Sequence, residues 1–170
     1  MNLHGNSILG NIPKSIGKLT DLNILSLTSN NFRGNLPNEI GELTKLNLLY
    51  VGGNNLDGQL PKSLGRLRSL QYLEMTHNSF SGPVPTELTQ LPLMLVNGAY
   101  NQFEGTFPAG LCRALTCGFY GNPKLKCPSQ NCKKCNIQTC NCGNVCLSAN
   151  DCANGLCKSC VARGMIKYCQ

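Results

Sequence analysis

A repeat of about 24 residues is the feature that most constrains how this 170-residue chain can fold. Asparagines recur at steps of 24, 24, 24 and 23 residues, and each is followed after four residues by a glycine and after seven by a proline. The three columns are Asn6, Asn30, Asn54, Asn78 and Asn101; Gly10, Gly34, Gly58, Gly82 and Gly105; and Pro13, Pro37, Pro61, Pro85 and Pro108. One such turn has too little apolar surface to fold alone, so neighbouring turns must stack. The pattern therefore predicts a solenoid.

Apolar residues within each turn indicate where its strand lies. The recurring sets are Leu22, Leu25 and Leu27; Leu46, Leu49 and Val51; and Leu70, Leu73 and Met75. The last two members of each set alternate with outward residues, which predicts a short strand with an apolar inner side. We expect the asparagines to bond backbone groups inside the stack, the glycines to permit unusual backbone angles, and the prolines to fix the far side. Gly98 replaces an apolar residue in a turn that is one residue shorter, which suits a terminal repeat.

These residues resemble the plant-type leucine-rich repeat, whose frame is L-x-x-L-x-L-x-x-N-x-(F/L)-x-G-x-(I/L)-P. The resemblance covers about two-thirds of the chain and implies an α/β-type repeat solenoid with short parallel strands on its concave side. It also implies a receptor-like ectodomain, a secreted inhibitor or a recognition protein. We expect a solenoid of about five turns at residues 1–110, a C-terminal cap at 111–128 and a small cysteine-rich, knottin-like module at 129–170. Met1 falls in mid-repeat, without the N-terminal cap of this family, so we expect a fragment of a longer product.

Alternation along the predicted strands identifies the side chains that face outward on the concave side. They form three columns: Ile24, Leu48, Tyr72 and Leu95; Asn2, Ser26, Tyr50, Glu74 and Asn97; and His4, Thr28, Gly52, Thr76 and Ala99. Exposed aromatic residues beside small polar groups are typical of protein-binding surfaces. The predicted ligand-binding residues are Tyr50, Tyr72, Glu74, Thr76, His77, Asn97 and Tyr100. The alternative is that strands of this kind simply tolerate apolar residues at outward positions.

The sequence predicts no catalytic residues. His77 follows Glu74 by three residues, but no Ser or Cys nucleophile motif accompanies either His77 or His4, the other histidine. We therefore expect His77 to be a surface histidine in a protein that is not an enzyme and carries no cofactor.

All twelve cysteines lie between Cys112 and Cys169. Cysteines at this density indicate disulfides and an oxidising compartment, so we expect a secreted or cell-surface protein although the chain starts without a secretory signal. Disulfides involving Cys112, Cys117 and Cys127 are expected to close the core. The alternative is a four-thiolate zinc site, for which Cys132, Cys135, Cys157 and Cys160 have suitable spacing. The even cysteine count favours disulfides and no metal.

The last six cysteines resemble the frame of small knotted plant inhibitors of metallocarboxypeptidases. That resemblance implies disulfides between Cys142 and Cys157, Cys146 and Cys160, and Cys152 and Cys169. These inhibitors insert a tail that follows the last cysteine, whereas only Gln170 follows Cys169 here. The stretch C-P-S-Q-N-C-K-K-C at 127–135 also resembles the cysteine modules of protist surface antigens, which implies a cell-surface role.

The net charge of +7 is confined to the C-terminal part of the chain. Residues 1–110 hold seven basic and seven acidic residues, whereas residues 111–170 hold eight basic residues and the single acid Asp151. Such a segment could attract acidic polysaccharide or an anionic membrane surface; the alternative is an ordinary solvated face. Nucleic acid is not expected as a partner because aromatic residues are not interleaved with the basic ones. No apolar run approaches the ~18 residues of a transmembrane segment.

Taken together, these patterns predict an extracellular or cell-surface module that binds a protein or peptide ligand on its concave face. Two alternatives remain open. One is a secreted inhibitor of a metallocarboxypeptidase-like protease or of a wall-degrading hydrolase. The other is a structural or adhesive surface protein that binds acidic glycans through its basic tail.

Overall fold

The computed structural model describes residues 1–126 and three further backbone strands, Cys140–Asn141, Cys160–Arg163 and Ile166–Cys169. Strands are numbered β1 to β14 in chain order. Two parallel six-stranded sheets run along the molecule, and a separate antiparallel pair joins β13 (Cys160–Arg163) to β14 (Ile166–Cys169). This arrangement confirms the predicted repeat solenoid. No helix within the described residues is long and apolar enough to cross a membrane.

The concave sheet has the spatial order β12-β10-β8-β6-β4-β2. Its strands are β2 (Ile24–Ser26), β4 (Leu48–Tyr50), β6 (Tyr72–Glu74), β8 (Leu95–Asn97), β10 (Thr116–Gly118) and β12 (Cys140–Asn141). Each turn contributes one short strand, and the register places equivalent residues of successive turns side by side.

The second sheet has the order β1-β3-β5-β7-β9-β11. Its strands are β1 (Leu9–Gly10), β3 (Asn31–Asn35), β5 (Asn55–Gln59), β7 (Ser79–Pro83), β9 (Gln102–Thr106) and β11 (Lys124–Lys126). Between the two sheets, each turn forms a 3-10 helix: Lys14–Lys18, Asn38–Glu42, Lys62–Arg66, Thr86–Gln90 and Ala109–Arg113. The repeated prolines directly precede these helices, with φ between −74° and −60°, so proline fixes this corner as predicted.

A single hydrophobic core runs through the stack. Leu25, Leu49, Leu73 and Val96, which face inward from successive concave strands, are all fully buried. The repeated glycines all have positive φ, from 68° at Gly58 to 103° at Gly10, which other residues adopt only with strain. The predicted role of the glycine column is therefore confirmed.

The asparagine column forms a ladder of hydrogen bonds between turns, as predicted. In the best-buried part, Asn54 Nδ2 donates to the carbonyls of Leu27, Val51 and Gly52, and its Oδ1 accepts from the backbone N–H of Phe32. Asn30, Asn78 and Asn101 repeat this pattern. Each asparagine thus satisfies backbone groups that its tight turn would leave unpaired.

Residues that we assigned to the cap add a sixth turn to both sheets. Strand β10 pairs with β8, and β11 pairs with β9. Asn122 is fully buried; it donates to the carbonyls of Gly98 and Phe119 and accepts from the N–H of Phe103. It therefore extends the asparagine ladder by one step.

Gly98 belongs to a turn that is not terminal, which corrects our interpretation of its missing side chain. A Cβ atom at Gly98 would lie 2.5 Å from Cε1 of Phe119 and 3.0 Å from Cε2 of Phe103. Phe119 is 1% exposed and occupies, in the sixth turn, the inward position that Gly98 holds in the fifth. The phenyl ring of the following turn thus fills the space that the glycine leaves.

Cys117 lies in the core at the position of Leu25 and Leu49 in their turns. It is 2% exposed and forms no disulfide with another of the described residues. Its contribution among these residues is that of a small apolar side chain. The side chains of all cysteines from Cys127 onward lie outside the described residues, and so do the predicted pairings and the zinc alternative.

Candidate functional site

Glu74 lies at the centre of a cluster on the outward side of the concave sheet. The strand register places Tyr50 on one side of it and Asn97 on the other. Tyr72 precedes Glu74 by two residues on the same strand, so their side chains share a face. All four residues are half-buried. The cluster therefore combines two phenol rings, one carboxylate and one amide on adjoining strands.

The Glu74 carboxylate is held by neutral donors. Oε2 accepts from the backbone N–H of Gly52 at 3.2 Å, and Oε1 accepts from the backbone N–H of Thr76 at 2.8 Å and from the Thr76 hydroxyl. A Cβ atom at Gly52 would overlap the carboxylate, so the missing side chain there makes room for it. These contacts fix the orientation of the acid toward the Gly52–Thr76 end of the strands.

Burial is the main reason why the pKa of Tyr50 is raised above its ordinary value of 10.0. Tyr72 and the negative charge of Glu74 raise this pKa further, because both disfavour a second anion nearby. Tyr50 therefore stays a neutral hydrogen-bonding phenol beside the acid at physiological pH.

An aromatic ladder borders the cluster where the strands end. The His77 and Tyr100 rings are 4.4 Å apart, and the Tyr100 and Tyr120 rings meet edge to face at 4.9 Å. Tyr100 is 48% exposed and Tyr120 is 38% exposed. Aromatic rings in mutual contact provide rigid contact area for a protein or peptide ligand.

His77 and Tyr100 have left-handed backbone conformations, with φ of 51° and 53°. Glycine takes the equivalent position at Gly53 and Gly121 in neighbouring turns. Bulky residues with positive φ are uncommon, and such conformations cost of order 1 kcal/mol each. The ladder therefore depends on two strained positions that hold their rings at the end of the sheet.

The structure brings the predicted ligand-binding residues into two adjoining groups. Tyr50, Tyr72, Glu74, Thr76 and Asn97 form the cluster, while His77 and Tyr100 belong to the aromatic ladder. Asn97 directs its Oδ1 toward the backbone N–H of Ala99. His77 is exposed, and the hydrogen bonds of Glu74 go to Gly52 and Thr76 rather than to it.

Some positions predicted to face outward are covered. Ser26 and Gly52 are buried, and Ala99 is fully buried without joining the hydrophobic core. Larger side chains on neighbouring strands cover the small residues of this sheet, as the carboxylate of Glu74 covers Gly52. The part of the concave sheet that a ligand can reach therefore includes fewer residues than the three predicted columns.

Sequence reasoning missed Tyr120 as a site residue. Tyr120 accepts from the backbone N–H of Tyr100 just as Gly52 accepts from that of Ser29, which places it in the third outward column. The signal was present: Phe119 and Asn122 have the same spacing as Leu27 and Asn30. Identifying the sixth turn would have added Tyr120 to the candidates.

The opposite side of the molecule offers a less suitable site. An open cleft of about 420 Å³ lies beside the 3-10 helices, lined by Lys14, Glu39 and Lys62 among others. Its charges already pair across turns, Lys14 with Glu39 and Lys62 with Glu87, both at 3.8 Å. Exposed pairs of this kind contribute little energy. Oε2 of Glu39 has no hydrogen-bond partner among the described residues, but no aromatic side chain lines the cleft to anchor a ligand.

Among the described residues, no group of three or more His, Cys, Asp or Glu side chains could hold a metal ion. The basic residues Lys124 and Lys126 are described and exposed, whereas the rest of the basic tail from residue 127 onward is not described at the level of side chains. The predictions about acidic polysaccharide therefore stay predictions.

Comparisons with known proteins agree with this architecture. The family described as "Leucine-rich repeat region" matches residues 1–96. The ectodomain of the Arabidopsis thaliana receptor kinase SOBIR1 superposes with a TM-score of 0.72 at 28% identity, over 76% of this chain and 72% of that one. A search of curated proteins finds no match.

Two further similar structures are complexes of plant receptors. The Arabidopsis receptor kinase HAESA, in complex with the peptide hormone IDA and the co-receptor SERK1, is 35% identical over 74% of this chain, with a TM-score of 0.68. The plant peptide hormone receptor RGFR1, in complex with RGF2, is 29% identical over 69% of this chain, with a TM-score of 0.65. The chain spans only about a fifth of each receptor, 21% of HAESA and 20% of RGFR1.

Proposed function

We propose that this chain, which belongs to the leucine-rich repeat family, is a recognition module that binds a protein or peptide ligand on its concave sheet. The observation that carries the proposal is the group of Tyr50, Tyr72 and Glu74 beside the aromatic ladder of His77, Tyr100 and Tyr120. This surface combines rigid aromatic area with a fixed polar group, the two elements from which binding hot spots are built.

The similar receptors support this proposal. HAESA is described in complex with the peptide hormone IDA, and RGFR1 is described as a peptide hormone receptor. This chain shares their fold over most of its described length. We propose a binding role without catalysis, because the Glu74 carboxylate is engaged by the backbone N–H groups of Gly52 and Thr76 and by the Thr76 hydroxyl.

The test is selection of peptides from a random displayed library on the full chain, followed by affinity measurement with variants. We expect Tyr72→Ala and Tyr100→Ala each to weaken binding of the selected peptides at least about tenfold, as aromatic hot spots do. Arg33→Ala, on the outer side of β3 in the second sheet, is the control and should leave affinity unchanged. Peptides that bind all three variants like the wild type would contradict the proposal.

We further propose a secreted or cell-surface location, and a solenoid that extends to residue 126 before the cysteine-rich module. The density of cysteines supports the location. Intact mass after thiol alkylation, with and without reduction, tests it: uptake of twelve alkyl groups only after reduction is expected, and free thiols with bound zinc would contradict it. The inhibitor and adhesive alternatives depend mainly on residues 129–170 and stay predictions.

A further inference from the structure

The charge distribution on the concave sheet is unusual in one respect. Among the outward positions of β2, β4, β6, β8 and β10, Glu74 is the only residue that is Asp, Glu, Lys or Arg. Four of the other acids form ion pairs between turns: Asp21, Glu39, Glu42 and Glu87. The remaining two, Asp57 and Glu104, are exposed to water on the second sheet. Glu74 is therefore the one half-buried carboxylate without a cationic partner among the described residues.

One oxygen of the Glu74 carboxylate has an acceptor site that no described donor uses. A carboxylate has about four lone-pair sites, two on each oxygen. Oε1 accepts from the N–H and the hydroxyl of Thr76, whereas Oε2 accepts only from the N–H of Gly52. One acceptor site on Oε2 thus remains for a ligand, at the Gly52 end of the cluster and next to the strand that carries Tyr50.

A cation suits this site, which offers an unneutralised carboxylate beside tyrosine rings. Neutral donors orient the carboxylate without neutralising it, so a positively charged donor gains a charge-assisted hydrogen bond at Oε2. Tyrosine faces attract lysine ammonium and arginine guanidinium groups, and more strongly where water is partly excluded. The ten basic residues among positions 1–126 lie in the 3-10 helices, in the second sheet or in the connections that precede the concave strands. No described cation therefore occupies the site, and we assign the cation to the partner.

Resting on the proposed function, we propose that the ligand is a basic peptide segment, one of whose lysine or arginine side chains donates to Oε2 of Glu74 on the side of the Tyr50 strand. The aromatic ladder then contacts the neighbouring part of the same segment. The unused acceptor site on Oε2 needs only one N–H donor, so either lysine or arginine can fill it.

The experiment uses the full chain and peptide pools with random flanks around one fixed central residue. Four pools carry arginine, citrulline, lysine or acetyl-lysine, so that each cation has a neutral counterpart of similar shape. We expect the wild type to retain the arginine or lysine pool at least tenfold better than its neutral counterpart. We also expect the difference to shrink at high salt.

Three variants locate the effect. Glu74→Gln removes the charge, keeps one acceptor oxygen for the donors of Thr76, and should abolish the preference for the cationic pools. Gly52→Ala keeps Glu74 but displaces its carboxylate, and should also abolish the preference for the cationic pools. It provides the same test if Glu74→Gln is poorly folded. Glu104→Gln removes the same charge from the second sheet and should leave the preference intact.

Two outcomes separate this inference from the proposed function. Equal retention of cationic and neutral pools, with loss of both in Tyr72→Ala, would overturn the cation site and leave peptide binding standing. Retention of no pool, or retention that no concave variant alters, would overturn both.

Discussion

The interior of the solenoid repeats from turn to turn, whereas the outward side of the concave sheet changes at every strand. At one interior position the successive residues are Leu25, Leu49 and Leu73, all fully buried. At the outward position beside it they are Ser26, Tyr50, Glu74 and Asn97. Both positions belong to the same strands and share the same backbone geometry.

This difference shows which demands the fold makes on each region. The interior must fill space and pair every buried backbone group, so it admits the same solution in each turn. The outward side has no such demand, and its residues are free to serve a ligand. Repetition therefore marks the residues that stabilise the protein, and variation marks those that we propose for recognition.

The largest expected effect is that of removing one step of the asparagine ladder. Asn54→Ala leaves the buried N–H of Phe32 without a partner. It also removes one of the two donors to each of the carbonyls of Leu27 and Val51, which keep Asn30 and Asn78. The unpaired N–H costs about 1–3 kcal/mol and the lost bonds to the two carbonyls add to it, so the free energy of unfolding should fall by at least about 2 kcal/mol. Denaturant titration measures it.

Asn6→Ala is the matched control for that prediction. Asn6 occupies the same column, but it is exposed and bonds only carbonyls of its own turn, those of Leu3 and His4. Its loss should change the free energy of unfolding by no more than about 0.5 kcal/mol. Equal losses in the two variants would show that burial of an asparagine does not determine how much it contributes to the free energy of unfolding.

The next effect concerns Gly98, where the interior departs from its own repeat. Gly98→Val restores the apolar residue found at Leu27, Val51 and Met75, yet its side chain would meet the ring of Phe119. Overpacking of this kind costs about 1–3 kcal/mol. The cost should shrink in a Phe119→Leu background, as a double-mutant cycle in thermal unfolding would show; a stabilising Gly98→Val would contradict the prediction.

A smaller effect is expected within the outward cluster. Glu74→Gln removes the charge that contributes to the raised pKa of Tyr50, so this pKa should fall. It should remain above 10.0, because burial is the first cause of the shift. NMR titration of the tyrosine ring carbons measures it, with Tyr50→Phe to assign the signal. An unchanged pKa would show that the two groups do not interact.

The smallest effect concerns the ion pair of Asp21 and Lys45, whose charged atoms are 2.7 Å apart on the surface. Hydrogen bonding and charge attraction from Lys45 lower the pKa of Asp21 below 3.8. A lowered pKa in the folded state stabilises the protein above pH 3.8, and this contribution is lost as the pH falls through the folded-state pKa. NMR titration should show the pKa return toward 3.8 in Lys45→Met, and a shift that persists there would exclude the pair as its cause.

The sequence alone determined the repeat, the inward leucines and the roles of the asparagine, glycine and proline columns. Each of these follows from local requirements that recur at a fixed spacing: a backbone group to pair, a positive φ to adopt, a corner to fix. Because every turn meets the same requirements, the pattern is visible without knowledge of the other turns.

Only the tertiary structure decided how neighbouring turns share space. It showed that Phe119 fills the gap at Gly98, that Gly52 makes room for the carboxylate of Glu74, and that Tyr120 completes a ladder with Tyr100 and His77. These contacts join residues some twenty positions apart, and each depends on the size and direction of a particular side chain. Packing of this kind is a property of pairs across turns, which no single column of the repeat contains.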